Sequence, residues 1–335
     1  MIIRPFARFV VVALSLLAVC AEPPDGAAEP APAEPLQIAA QPVALNVHDA
    51  GQSRVGRLIY RGGINLTSDD GRFGGWSDIS ITPDGARLVA ISDRGFWFDA
   101  EIAYDEAGWL SHLNHGRIGP LVNLGGWPMR HLAGDAEGLA AVPDGSFFVS
   151  FERRHRVWHY PPAEPPFSIL PRLVPPPPGT EDMPGNGGIE AMVRLPGGRL
   201  FALAEAFYDG SYNVGWIGDG RDWQRLTYVA GPDFRPAGAT LLPDGDILVL
   251  ERRFTRLGMP GARLVQLAAR DVRAGARLVG AELARIEPPL SLDNFEGVAA
   301  RRGPGGKTFI YLMSDDNYFF LQRTLLLMFE LAEAR

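Results

Sequence analysis

The chain has 335 residues, 46% of them apolar and 21% charged, with a formal net charge of −7. This composition supports a sizeable hydrophobic core and excludes simple disorder. An acidic balance without a basic patch also excludes nucleic acid as a partner, because phosphate backbones are bound by clustered Lys and Arg.

Arg4 and Arg8 precede an apolar run, Val10 to Val19, that is too short to span a bilayer, so residues 1–21 read as an export signal. Two outcomes stay open at Val19-Cys20-Ala21. Cleavage after Ala21 removes the only cysteine, whereas lipidation of Cys20 makes a lipid anchor the sole membrane contact. Residues 22–35 (EPPDGAAEPAPAEP) are Pro, Ala and acid without periodicity and are predicted to form a disordered tether. Residues 36–335 are expected to form one exported domain, periplasmic or extracellular and monomeric. A mature chain without a disulfide must draw its stability from packing and sheet closure, with bound ions as a further source.

Five later segments share one pattern: an apolar run, a turn such as Pro-Asp-Gly, a second apolar run and a charged residue. They read WSDISITPDGARLVAISDRG from Trp76, AEGLAAVPDGSFFVSFERR from Ala136, GIEAMVRLPGGRLFALAEA from Gly188, AGATLLPDGDILVLERR from Ala237 and FEGVAARRGPGGKTFIYLMSDDN from Phe295. Pro presets φ in the turn, and Asp-Gly or Gly-Gly tolerates positive φ, so each segment is a β-hairpin. The copies start 47 to 59 residues apart, and each interval has room for two more strands, such as Tyr212–Gly218 and Trp223–Ala230 after the third, or Ala262–Leu267 and Ala276–Ala284 after the fourth. Four strands per unit at a period near fifty define an all-β propeller of five blades. The last copy is followed only by Thr324–Leu331, so the run Val55–Leu66 is expected to supply its missing strand and close the ring. A sixth, degenerate blade drawing on Leu36–Val47 is left open. The Pro-rich stretch Tyr160–Gly188 is expected to be an extended surface connection, or else a loop overhanging the site.

Glu137, Glu190 and Glu296 stand just before the first strand of their hairpins, with Asp78 in a similar place. Asp93, Glu152, Glu205, Glu251 and Asp315 stand near the end of the second strand. In an antiparallel hairpin these two positions lie side by side, so the acids are expected to gather on one rim of the central opening. So many carboxylates repel unless neutralised. Arg94, Arg153 and Arg252 directly follow three of the acids, and oxygen-rich clusters suit Ca²⁺. The competing expectation is that the acids only form salt bridges between blades or cap strands. No serine-elbow, zinc-protease or dinucleotide motif is present, the six histidines lack zinc spacing, and Gly305-Gly306-Lys307-Thr308 is a hairpin turn rather than a phosphate loop.

The motifs Ile91-Ser92-Asp93-Arg94-Gly95, Asp135-Ala136-Glu137-Gly138-Leu139, Gly187-Gly188-Ile189-Glu190-Ala191 and Asp293-Asn294-Phe295-Glu296-Gly297 resemble those of the bacterial "esterase-like activity of phytase" family, over about residues 55–331. The resemblance implies a propeller related to calcium-dependent phytases, an exported location and hydrolysis of phosphate or other esters. It points to Asp93, Arg94, Glu137, Glu190 and Glu296 as site positions, and Ala237 departs from the pattern. Two functions follow. In a calcium-dependent hydrolase of a small ester or phosphoester, Glu137, Glu190, Glu296 and Asp315, with Glu152 and Glu205, would hold metal. Glu137, Glu190, Asp93 and Arg94 would then serve catalysis, and Arg153 and Arg252 would hold the substrate. In a non-catalytic binding propeller the same rim would recognise a ligand or protein.

Overall fold

A computed structural model of the chain describes residues 32–129, 131–253 and 260–333. The expected signal segment with Cys20, and the expected tether up to residue 31, lie outside the described residues. Five antiparallel inner hairpins are present. They are Trp76–Ile81 with Arg87–Ser92 (blade I), Ala136–Ala141 with Phe147–Phe151 (II), Ile189–Arg194 with Leu200–Asp209 (III), Arg235–Leu241 with Ile247–Arg253 (IV) and Asn294–Arg302 with Thr308–Asp315 (V). The first strand of each hairpin is innermost and packs against its counterparts on both sides, round to blade V against blade I. Each blade continues outward, blade I through Phe96–Tyr104 and Leu110–Pro120, blade III through Tyr212–Gly218 and Trp223–Tyr228.

Ring closure is the one the sequence predicts: Leu58–Thr67 pairs antiparallel with Thr324–Leu331 and completes blade V. Leu36–Val47 builds no sixth blade. Instead, Glu34–Leu36 lies on the outer strand of blade I and Ala39–Pro42 on that of blade V, so the segment straps the closure from outside. The first strand thus begins at Glu34, inside the expected tether, and Ala33 before it already packs against the core between blades I and II. The fourth strand of blade II is Arg172–Val174, in the middle of the Pro-rich stretch. The carbonyls of Pro175 and Pro178 accept the indole N–H groups of Trp223 and Trp216, which pins the prolines against blade III. The expected strand Ala276–Ala284 is divided, Arg277–Leu278 pairing with blade III and Ala281–Ile286 with blade IV.

The apolar residues that alternate along these strands fill five clusters, one between each pair of neighbouring blades. Between blades I and V, Trp76 lies 4.4 Å from Phe98 and 5.3 Å from Phe73, ring centre to ring centre. Such aromatic pairs add about 0.5–1.5 kcal/mol beyond the area they bury. With every blade packed on two others, the inner strand ends are held rigidly, and this is what fixes the pore-facing side chains.

Candidate functional site: an acidic ring at the pore

All five inner hairpins carry a β-bulge near the pore, shown by a register shift at Trp76/Asp78, Val149/Phe151, Ile189/Ala191, Pro236/Gly238 and Phe295/Gly297. A bulge adds one residue to a strand and re-aims its side chain. The extra residues are Ser77, Glu137, Glu190, Ala237 and Glu296, so three of the five bulges present a glutamate. The next position holds Gly138, Ala191, Gly238 and Gly297 in blades II to V. A Cβ on Gly138 would come within 2.8 Å of the Glu190 carbonyl oxygen, so this Glu-Gly pair reflects how closely neighbouring inner strands approach.

Asp78 occupies that second position and is therefore not the counterpart of Glu137. It is fully buried, and its carboxylate accepts the backbone N–H groups of Ile79, Leu139 and, at 3.4 Å, Val298. Asp78 thus fastens blades I, II and V together rather than lining the rim.

On the second strands, the position after the residue paired across the bulge holds Asp93, Glu152, Glu205, Arg252 and Asp315. Blade IV differs twice: it brings alanine where others bring glutamate, and arginine where others bring an acid. Glu251, expected on the rim, faces the other way. It is completely buried, accepts the Tyr228 hydroxyl and pairs with Arg263 at 2.7 Å. The ring therefore contains seven carboxylates and a single guanidinium.

Arg252 serves three of them. Its terminal nitrogens lie 3.0 Å from Glu205, 3.1 Å from Glu296 and 3.6 Å from Glu190, and it also donates to Asn294. Burial alone would depress this guanidinium, but Glu296, Glu190, Glu205 and Glu137 outweigh it and keep Arg252 charged. Sequence reasoning put Arg252 on a substrate; in the structure its charge is committed to the ring. Glu190 and Glu296 are nevertheless held above the usual carboxylate range, first by burial and then by neighbouring acids. The same holds for Asp315, pushed up by burial and by Glu296.

On the opposite side of the pore, no one cation among the described residues bridges several acids as Arg252 does. Oxygen atoms of Asp135, Glu137 and Glu152 lie within 4.8 Å of one another. Glu152 is anchored by the N–H groups of Gly187 and Gly188, at the end of the Pro-rich stretch. Asp135, which the sequence reading did not single out, accepts Nε of Arg153 at 2.7 Å. Glu137 makes no hydrogen bond or ion pair among the described residues. Burial, then Glu190, Glu152, Glu296 and Asp135, push its carboxyl well above the normal range. Blade I adds two orphaned buried oxygens, Ser77 Oγ and Asp93 Oδ1. Asp93 is pushed up to about 7 by burial, Asp135 and Glu296, with Arg94 opposing. Arg94 is exposed and lies over the Tyr318 ring, 3.2 Å from its centre. A clustered set of hard oxygen donors with one unpartnered carboxylate fits a divalent cation of the calcium type.

Asp93 has this environment because Gly75 leaves room for it. A Cβ on Gly75 would strike both Asp93 and the Tyr318 ring, and Gly75 has φ +63°, where side chains are strained. We expect Gly75→Ala to cost about 2–4 kcal/mol in thermal unfolding, from strain plus overpacking. Gly71→Ala, where a methyl group meets nothing, should leave the melting temperature unchanged.

Beside the ring, a cleft of 710 Å³ opens between blades I and II, with Asp93, Asp135, Arg94 and Arg153 at its polar end.

Fold and site together define a five-bladed β-propeller with an acidic pore. A family model described as phytase-like, esterase-like activity of phytase, matches residues 71–318, and the chain belongs to that family. Among solved structures, the α-L-arabinofuranosidase PaAbf62A from Podospora anserina superposes with a TM-score of 0.52 at 14% identity, covering 82% of this chain and 97% of that one. A structure described as a gluconolactonase gives 0.46 at 12% identity, covering 88% and 94%. A protein of unknown function from Dyadobacter fermentans gives 0.46 at 10% identity, covering 90% and 95%. At these identities the likeness concerns the fold alone. No curated protein sequence matches the chain.

Proposed function

We propose that the protein is a calcium-dependent hydrolase of carboxylic or phosphate esters, working at the pore mouth between blades I and II. The observation that carries this reading is Glu137: a carboxylate without a partner, inside a ring of acids and within ligand distance of Asp135 and Glu152. Those three residues would hold the cation, with Glu190, Glu205 and Glu296 kept in place behind them by Arg252. The chemistry a divalent cation supplies at such a site is polarisation of a carbonyl or phosphoryl oxygen. Asp93, at the floor of the cleft with one oxygen unbonded, accepts the proton of the attacking water and returns it to the leaving alcohol. Arg94 and Arg153 steady the negative charge that develops on the ester. No side-chain nucleophile is required, which agrees with the missing serine-elbow motif.

An exported location belongs to the same proposal, because weak carboxylate sites fill at the calcium levels found outside cells. The test is turnover of p-nitrophenyl acetate and p-nitrophenyl phosphate with and without calcium. We expect activity that disappears on chelation and falls about 100-fold in Asp93→Asn. Activity should rise with pH as Asp93 loses its proton, with the limb at or below pH 7 because added calcium favours the ionised form. A calcium-dependent rise in melting temperature with no turnover of either compound would replace catalysis by ligand binding.

A further inference from the structure

The cleft beside the acidic ring is two-sided. Its polar end reaches Asp93 and Asp135, whereas Phe96, Pro120, Pro128, Met129 and Leu132 give it an apolar wall. The charged side chains that line it cancel: Glu34, Asp93 and Asp135 against Arg72, Arg94 and Arg153. Two of these cations are engaged, Arg72 with Asp70 and Glu34, and Arg153 with Asp135. Arg94 rests on the Tyr318 ring and has no carboxylate hydrogen bond among the described residues. A ligand carrying several phosphates would bring many negative charges to a cleft whose own charges cancel and which is bordered by six further ring carboxylates, a mismatch that works against binding.

The surroundings of the cleft favour apolar matter. The connection 121–135 carries Leu124, Trp127 and Leu132, and the turn 316–323 carries Phe319, Phe320 and Leu321, all exposed. These six are half of the large apolar side chains exposed among the described residues, although the two segments are a small part of the chain. Both segments lie on the pore-mouth side. The first joins the outer strand of blade I to the inner strand of blade II, and the second follows Asp315. Tyr318 in the second segment meets Arg94 at the cleft.

We infer that the substrate is a carboxylic ester with an apolar acyl or aryl group, seated on the Phe96 to Leu132 wall with its carbonyl at the Asp93 end. This rests on the hydrolase reading above and chooses among its substrates. In the reaction the oxygen of one water bonds to the carbonyl carbon and its proton passes to Asp93. The bond to the alcohol oxygen then breaks, and the alcohol leaves with that proton. A carboxylic acid and an alcohol are the products, and nothing is oxidised or reduced.

The experiment compares p-nitrophenyl acetate, p-nitrophenyl octanoate, p-nitrophenyl phosphate and inositol hexakisphosphate on the full chain with calcium in excess, and in Leu132→Asn. Leu132 is 63% exposed, so the variant should fold, and its melting temperature verifies this. The expected result is that kcat/KM for octanoate exceeds that for acetate about tenfold, and that Leu132→Asn lowers this ratio about fivefold. Preference for either phosphorylated compound, or a ratio near one, would overturn the inference while leaving the hydrolase reading in place. Calorimetric titration with octanoate separates the two claims. Octanoate binding that weakens in Leu132→Asn, with no turnover of any compound, retires hydrolysis and keeps the apolar occupant; absence of octanoate binding removes the apolar occupant.

Discussion

Glu137→Gln is expected to weaken calcium binding on the order of 100-fold and at the same time to make the calcium-free protein more stable at pH 8. The two effects have one cause. Glu137 is half-buried, faces four other acids and has no hydrogen-bond or ion-pair partner among the described residues, so desolvation and those acids hold its carboxyl well above the usual range. A raised acid pKa means the folded chain holds this proton at a pH where the unfolded chain has released it. Its contribution to stability is therefore intact below about 4.5, the ordinary value for Glu, and is lost as pH rises from there toward the folded value. Glutamine keeps the shape and cannot ionise, so the variant escapes that loss and should melt a few degrees higher than the parent at pH 8, with little difference at pH 4. Calcium reverses the order, because the parent gains RT ln(1 + [Ca]/Kd) and the variant gains much less. Melting curves with and without calcium at both pH values, together with calorimetric titration, check both halves. An unchanged calcium affinity would remove Glu137 from the metal site, and a less stable variant would mean that its carboxylate is already compensated.

The sequence was informative about the ring and less so about which side chains enter it. Pro-Asp-Gly and Pro-Gly-Gly turns fix the inner hairpins locally, and the closing strand follows from the missing partner of Thr324–Leu331, so five blades and their closure could be read from residues alone, whereas the sixth blade left open at Leu36–Val47 is excluded only by the structure. Which side chains reach the pore depends on the bulges, and a bulge leaves no turn residue to mark it. A shift of one residue turns a side chain to the opposite face of a sheet. Asp78, one residue past its bulge, therefore binds backbone between blades instead of joining Glu137. Blade IV shows the same effect more clearly. The ends of its second strand and that of blade II both read Glu-Arg-Arg, yet Glu152 stands five residues after Phe147 while Glu251 stands four after Ile247. Counting from the turn would have placed Arg252 in the ring and Glu251 outside it. Asp135 was missed because it precedes its strand, though it shares a face with Glu137 two residues on, as Asn294 does with Glu296. The apolar cleft was not legible, since Phe96 and Leu132 approach only after blades I and II have packed.

Arg252→Met should be the most destabilising single change at the pore, about 3–5 kcal/mol, or a melting temperature lower by about 6–10 °C at pH 8. Methionine fills much of the same volume, so the loss tests charge more than packing. Without the guanidinium, Glu190 and Glu296 lose their ion-pair partner and Glu205 keeps only the exposed Arg235 at 3.8 Å, and none of the three can move away, because each is fixed to a bulged or adjacent position of an inner hairpin. The sign with pH follows from the same carboxylates. Glu190 and Glu296 are already raised, and removing the cation raises them further, so the stability they cost grows as pH climbs above about 4.5 and fades as it falls toward that value. The gap between parent and Arg252→Met should accordingly be wide at pH 8 and narrow at pH 5, and Arg252→Lys should fall between them, since an ammonium keeps the charge but not the fork that reaches three partners. Calcium should recover part of the loss, because a second cation can enter an acidic ring that has lost its first. A gap of equal size at both pH values, indifferent to calcium, would show that Arg252 supports the pore by packing, and that blades III to V tolerate their acids without an internal counter-charge.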